Sequence, residues 1–119
     1  MDHHKLVLPE FLNHHGFLFG GYLLKWIDEV AFITENLDLP GNRFVTVALD
    51  NVAFKHRIYN GQILRFSVER ERVGNSSVEY NVRVYGEEKA ESRSDILFET
   101  RITFVNVDDS GSKKSIQGR

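Results

Sequence analysis

Along residues 20–36 the apolar positions recur in steps of three and four: Leu24, Ile27, Ala31 and Thr34 line up, joined by Leu23 and Val30. That spacing is one face of an α-helix, and it predicts a helix of about 16 residues, roughly 25 Å long. Lys25, Glu29 and Phe32 fall off the stripe, and Asp28 lies at its margin. Leu39-Pro40-Gly41-Asn42 then ends the helix, because proline and glycine do not readily extend it. From Val45 the period changes to two. Val45, Val47 and Leu49 alternate with Thr46, Ala48 and Asp50, which predicts a strand reaching Phe54. Three further runs alternate in the same way: 63–73 with Leu64, Phe66 and Val68 on one face, 78–84 with Val78, Tyr80, Val82 and Val84, and 96–107 with Phe98, Ile102 and Phe104. Asn60-Gly61 and Gly74-Asn75 read as tight turns, 86–92 as a polar connection, and 6–8 as a short edge strand.

One helix followed by an antiparallel meander has few ways to bury its apolar faces. The simplest is an α+β domain in which the sheet wraps around the helix. At 119 residues the chain is read as a single domain spanning 1–119, because a second core has no room. The open sheet edges and the small size both favour pairing with a second copy of the chain. Residues 109–119, with Ser110-Gly111-Ser112-Lys113-Lys114-Ser115, have linker composition and are expected to be mobile or docked on an oligomer.

Charge and composition narrow the function. A formal net charge of -2 offers no basic excess for nucleic-acid phosphates. The chain has no cysteine, so disulfides, thiolate metal sites and thiol catalysis are out, and a reducing cytoplasm fits. Lys25, Asp28 and Glu29 interrupt the most apolar helical segment, and the apolar run near the N-terminus is too short for a signal peptide, so no membrane association or export is expected. His3-His4 and His14-His15 lack suitably spaced partners, and adjacent residues of an extended chain point apart, so no metal is expected. Trp26 and Phe32, on the far side of the helix, are expected at a subunit contact. Glu69-Arg70-Glu71-Arg72 reads as a solvated strand face.

The segment before and into the helix carries the candidate chemistry. Gly20 and Gly21 stand at the helix start, where unpaired amides and the helix dipole favour an anion or a carbonyl oxygen gaining charge. The same glycines also suit a tight entry of the chain against the sheet, and spacing alone does not choose between these roles. Asp28 is the best general-base candidate, since partial burial at the stripe's margin would make it a stronger base toward water; the bland alternative is a solvated acid beside Glu29. Asn13 is placed to hydrogen-bond a substrate carbonyl or water, or to serve as a turn residue.

Taken together, Asn13-x-x-Gly16-x-x-Phe19-Gly20-Gly21-x-x-Leu24-x-Trp26-x-Asp28 resembles the opening of the hotdog-fold acyl-CoA thioesterases. The similarity continues through Val45-Thr46-Val47, Phe54, Gly61, the Val73–Val78 turn region and Thr103-Phe104-Val105-Asn106-Val107-Asp108, and so covers almost the whole chain. The resemblance implies a hotdog fold, a long central helix wrapped by an antiparallel sheet. It also implies hydrolysis of acyl-CoA to a free acid and coenzyme A with no added cofactor. In that reading Asp28 activates water, Asn13 comes from the partner subunit of a homodimer, and the Gly20 and Gly21 amides hold the oxyanion. Attack by Asp28 itself is the mechanistic alternative. Tetramers or hexamers of dimers are the implied assemblies. Lys55, His56 and Arg57 are candidate contacts to the coenzyme A phosphates, although the family usually has a proline near Arg57. Asn75, Ser76 and Ser77 are further candidate substrate contacts that also suit a plain turn. A module that binds or senses acyl-CoA without cleaving it is the alternative function.

Overall fold

The computed structural model describes residues 1–87 and 96–118. Its elements are strand β1 (Asp2–Leu6), a single 3-10 turn (Pro9–Phe11), helix α1 (Gly20–Asp38) and strands β2 (Phe44–Phe54), β3 (Ile63–Val73), β4 (Ser77–Glu87) and β5 (Ile96–Asn106). All strand pairs are antiparallel, in the order β1-β3-β4-β5-β2, so β1 and β2 are the free edges. This is the α+β arrangement expected from the sequence, one long helix held against one antiparallel sheet. The polar connection expected over 86–92 lies outside the described residues from 88 onward.

The helix forms where the period-3.6 stripe predicted it. It buries Leu23, Ile27, Val30, Ala31 and Thr34 as expected, with Leu24 half-buried. Its far end is closed by Leu39, whose amide bonds to the Glu35 carbonyl, and by Asn42, whose Nδ2 donates to the Leu39 carbonyl at 3.0 Å. Gly41, at φ 85°, takes the left-handed conformation that turns the chain toward β2. The sheet's inner face is the one the alternation marked. Leu64, Phe66 and Val68 of β3, Val78, Tyr80, Val82 and Val84 of β4, and Phe98, Ile102 and Phe104 of β5 are all buried. Gly61, at φ 84°, makes the expected turn before β3.

Four expectations are corrected. The N-terminal edge strand is Asp2–Leu6 rather than 6–8: its register with β3 pairs Lys5 with Leu64 and His3 with Phe66, and Val7 is buried just beyond it. Strand β2 does not alternate cleanly, because bulges after Thr46 and Asp50 insert extra residues against β5. Val45 and Val47 are consequently exposed in the single chain. Trp26 is only 5% exposed: the turn at Pro9–Phe11 folds over the helix, Phe11 meets the indole edge-on at 5.0 Å, and the Lys5 ammonium lies 5.2 Å from its ring centre. Phe32, by contrast, is 46% exposed. Lastly, the segment after Asp109 docks on its own chain. Ile116 is buried and donates its amide to the Asn75 carbonyl, Lys114 bonds back to Asn106, and the Gln117 amide meets Asn42 Oδ1.

Candidate active site

Two clefts flank the first half of α1. The first, about 250 Å³, is lined by Phe17, Leu18, Gly20, Leu23, Phe54 and the run Lys55, His56, Arg57 and Ile58. Its floor is apolar and its rim is basic. Gly20 faces the Phe54 ring so closely that a Cβ there would lie 3.4 Å from it. Phe19 caps the helix without a side-chain bond, and the Tyr22 amide is taken up by the Phe19 carbonyl at 3.0 Å. The amides of Gly20 and Gly21 have no hydrogen-bond partner among the described residues. They are the unpaired donors a helix start presents to an oxygen carrying charge.

The second cleft, shallow and about 430 Å³, lies between the helix and the start of β2, lined by Lys25, Asp28, Glu29, Phe32, Phe44, Val45 and Thr46. Asp28, two turns into α1, is exposed here, so the partial burial expected of it is not supplied by its own chain. Its Oδ1 accepts a 2.6 Å hydrogen bond from Thr46 Oγ1. This hydroxyl was missed by sequence reasoning. The only signal for it was a polar side chain at the first turn of an edge strand that the topology lays beside the helix. A carboxylate held at one oxygen keeps the other available to accept a proton.

Asn13 sits in the turn before the helix. Its Oδ1 accepts from the amides of His15 at 2.9 Å and Phe17 at 3.2 Å, and its own amide bonds to the Phe17 carbonyl. Because both partners of Oδ1 are donors, the amide orientation is fixed and Nδ2 is left as a free donor. Asn13 is thus a turn residue and an aimed donor at once. It lines neither cleft, so one chain does not bring it to Asp28.

Of the remaining candidates, Lys55, His56 and Arg57 are gathered with Gly20 in the first cleft. Asn75, Ser76 and Ser77 are elsewhere, in the β3–β4 turn at the other end of the helix. There the Asn75 carbonyl and side chain hold Ile116 and Ser115, and the Ser76 carbonyl holds Asn106. His14 and His15 occupy a turn rather than extended chain, and their rings lie 3.9 Å apart. No group of three metal-ligating side chains is found among the described residues. Nor is any helix there long and apolar enough to cross a membrane.

Comparison with known proteins follows this geometry. A thioesterase superfamily model matches residues 15–92. Acyl-coenzyme A thioesterase 11 of Mus musculus is 35% identical over 101 residues, which is 85% of this chain and 17% of the mouse protein; the chain thus spans a small part of that relative. Among solved structures, an acyl-CoA hydrolase from Staphylococcus aureus, in complex with butyryl coenzyme A and coenzyme A, superimposes with a TM-score of 0.89 at 33% identity, covering 98% of this chain and 70% of that one. That hydrolase has also been solved with an aspartate, a threonine and an asparagine each changed to alanine. Its altered asparagine precedes its altered aspartate by the same number of residues that separates Asn13 from Asp28. A hexameric hotdog-fold thioesterase of Campylobacter jejuni matches with a TM-score of 0.81 at 27% identity, covering 96% of this chain and 87% of that one. With its single helix on an antiparallel sheet, its glycine-led helix start and these matches, the chain belongs to the thioesterase superfamily and has the hotdog fold.

Proposed function

We propose that this chain hydrolyses acyl-CoA thioesters to a carboxylic acid and free coenzyme A, and that it does so as a homodimer in which each site draws on both subunits. The observation that carries the proposal is the placement of Asp28. Its carboxylate is held by Thr46 in a shallow cleft bordered by exposed Phe32, Val45 and Val47, beside the unpaired edge of β2. Such a surface is what a second copy covers. A water enclosed there would have the Asp28 carboxylate as an acceptor for its proton.

In this mechanism Asp28 takes a proton from water as the oxygen attacks the thioester carbon. The carbonyl oxygen, becoming an oxyanion, is met by the Gly20 and Gly21 amides, which have no hydrogen-bond partner among the described residues. Asn13 of the partner subunit donates from Nδ2 to the carbonyl or to the water. Collapse of the tetrahedral intermediate breaks the carbon–sulfur bond, and the proton passes to the departing thiolate. Lys55, His56 and Arg57 attract the anionic substrate to the first cleft, whereas Asn75, Ser76 and Ser77 line neither cleft.

Release of free thiol from butyryl-CoA tests the reading. Asp28→Ala is expected to lower kcat by about a hundredfold or more with the fold intact. A variant hydrolysing at the wild-type rate ends the proposal, and binding without turnover by the wild-type chain makes it a sensing module instead. A single turnover in oxygen-labelled water separates the two routes: label found in the Asp28 carboxylate would mean that Asp28 attacks the carbonyl itself.

A further inference from the structure

The first cleft carries more than an oxyanion site. Arg43, Arg65, Arg83 and Arg101 each hold a carboxylate. Lys55, His56 and Arg57 make no ion pair among the described residues, and no acidic residue lines their cleft. Arg57 is pre-aimed as well: its guanidinium lies 4.7 Å from the centre of the Phe17 ring, which is itself braced edge-on by Tyr59 at 5.3 Å. That contact holds the guanidinium over the ring while its N–H groups have no carboxylate partner among the described residues, which suits them to an incoming carboxylate.

From this arrangement we propose that the chain prefers acyl-CoA thioesters whose acyl group ends in a second carboxylate, that is, short ω-carboxyacyl thioesters. The proposal rests on the hydrolase reading above. Scale decides which anion the cations meet. The cleft measures about 250 Å³ and is lined by both Gly20 and Arg57. An anion reaching Arg57 while the thioester oxygen sits on Gly20 must therefore lie within a few bonds of the carbonyl carbon. The phosphates of coenzyme A are at the far end of the pantetheine arm, too distant to share so small a cleft with their own thioester. A carboxylate at the end of a short acyl chain is at the right distance. Between the two polar ends, Leu18, Leu23, Phe54 and Ile58 offer an apolar floor for the intervening methylenes. The basic run is thereby assigned to the acyl group rather than to the nucleotide.

The test compares thioesters of equal carbon number, butyryl-CoA against succinyl-CoA and hexanoyl-CoA against adipoyl-CoA, as ratios of kcat/KM. The wild-type chain is expected to favour the carboxylated member of each pair by about tenfold, the worth of one charge-assisted hydrogen bond near a surface. Arg57→Gln is expected to bring that ratio close to one, and Arg57→Lys to keep part of it. Should Arg57→Gln not fold, Lys55→Gln is read in the same way and is expected to reduce the ratio. A wild-type ratio at or below one overturns the proposal. So does an Arg57→Gln variant that slows both members equally, which would assign the cation to the phosphates common to them. Failure of the hydrolase reading looks different, since no member of either pair would then release thiol.

Discussion

Asn13 shows how one side chain serves both the fold and the proposed chemistry. Its amide oxygen is committed to the turn that precedes the helix, and its Nδ2 has no partner among the described residues. Asn13→Asp separates the two roles, because aspartate keeps the oxygen acceptor of the turn and removes the donor. The variant is expected to unfold within about 2 °C of the wild type and to lose about a hundredfold in kcat, as for removal of one oxyanion donor. Thermal melts and thiol release check the two halves separately; a large drop in melting temperature would mean that the turn, not the donor, had been damaged. Asn13, Gly20, Gly21 and Asp28 could be named from the sequence as candidates because they lie in one continuous stretch whose spacing carries the resemblance. Thr46 was not, since its bond to Asp28 spans 18 residues and crosses from helix to strand. Nothing local to Val45-Thr46-Val47 says which carboxylate the hydroxyl will meet.

At the scale of elements, the last turns of α1 bury an acid that the stripe did not announce. Glu35 follows Ile27 and Ala31 in steps of four and is 1% exposed. Its Oε1 accepts from Asn36 Nδ2 at 2.8 Å, while Oε2 is buried without a partner. Burial, with the Asp38 carboxylate adding to it, pushes the Glu35 pKa up to about 7. Asp38 is itself bonded by the buried Tyr80 hydroxyl at 3.0 Å, and burial and that bond together raise the tyrosine's pKa. Since folding raises the Glu35 pKa, the folded state binds the proton more tightly than the unfolded chain. The Glu35 contribution to stability is therefore greatest below the ordinary carboxylate range, falls as pH rises from about 4.5 toward 7, and levels off above, for a total of about 3 kcal/mol. Glu35→Gln is expected to remove most of that slope and to be more stable than wild type at pH 8, measured by urea unfolding across pH 5–8. Parallel slopes for the two proteins would assign the pH dependence to other groups. The stripe and the alternation gave α1, β3, β4 and β5 nearly to their ends, because each buries a regular face. They failed for β1, whose Asp2-His3-His4-Lys5-Leu6 pairs through its backbone with little apolar signal, and for the C-terminal segment, where Ile116 is the one anchor in a polar run.

At the scale of the whole molecule, one edge of the sheet is markedly apolar. Phe32 on the helix and Val45, Val47, Val52 and Phe54 along β2 are exposed, with Val47 at 54% and Phe54 at 58%, beside a strand edge that has no neighbour. The opposite edge, β1, runs Asp2-His3-His4-Lys5 before an exposed Leu6, and the outer sheet face carries ion pairs such as Arg83–Glu99 and Arg101–Glu71. The β2 side, where these side chains gather beside the Asp28 cleft, has the composition of an interface core. In the proposed dimer, pairing there would enclose Asp28, and a two-fold axis that brought one subunit's Asn13 to the other's Asp28 would do so twice. This shared arrangement makes a prediction that neither subunit's own geometry could satisfy. Asn13→Ala and Asp28→Ala chains are each expected to be inactive alone. Unfolded together in equal amounts and refolded, they should form mixed dimers in half of cases, each with one site that has both groups and one that has neither, so about a quarter of wild-type activity returns. A refolded mixture as inactive as its parents, with mixed dimers verified by mass, would place Asn13 and Asp28 in separate sites and leave the two-subunit mechanism without support.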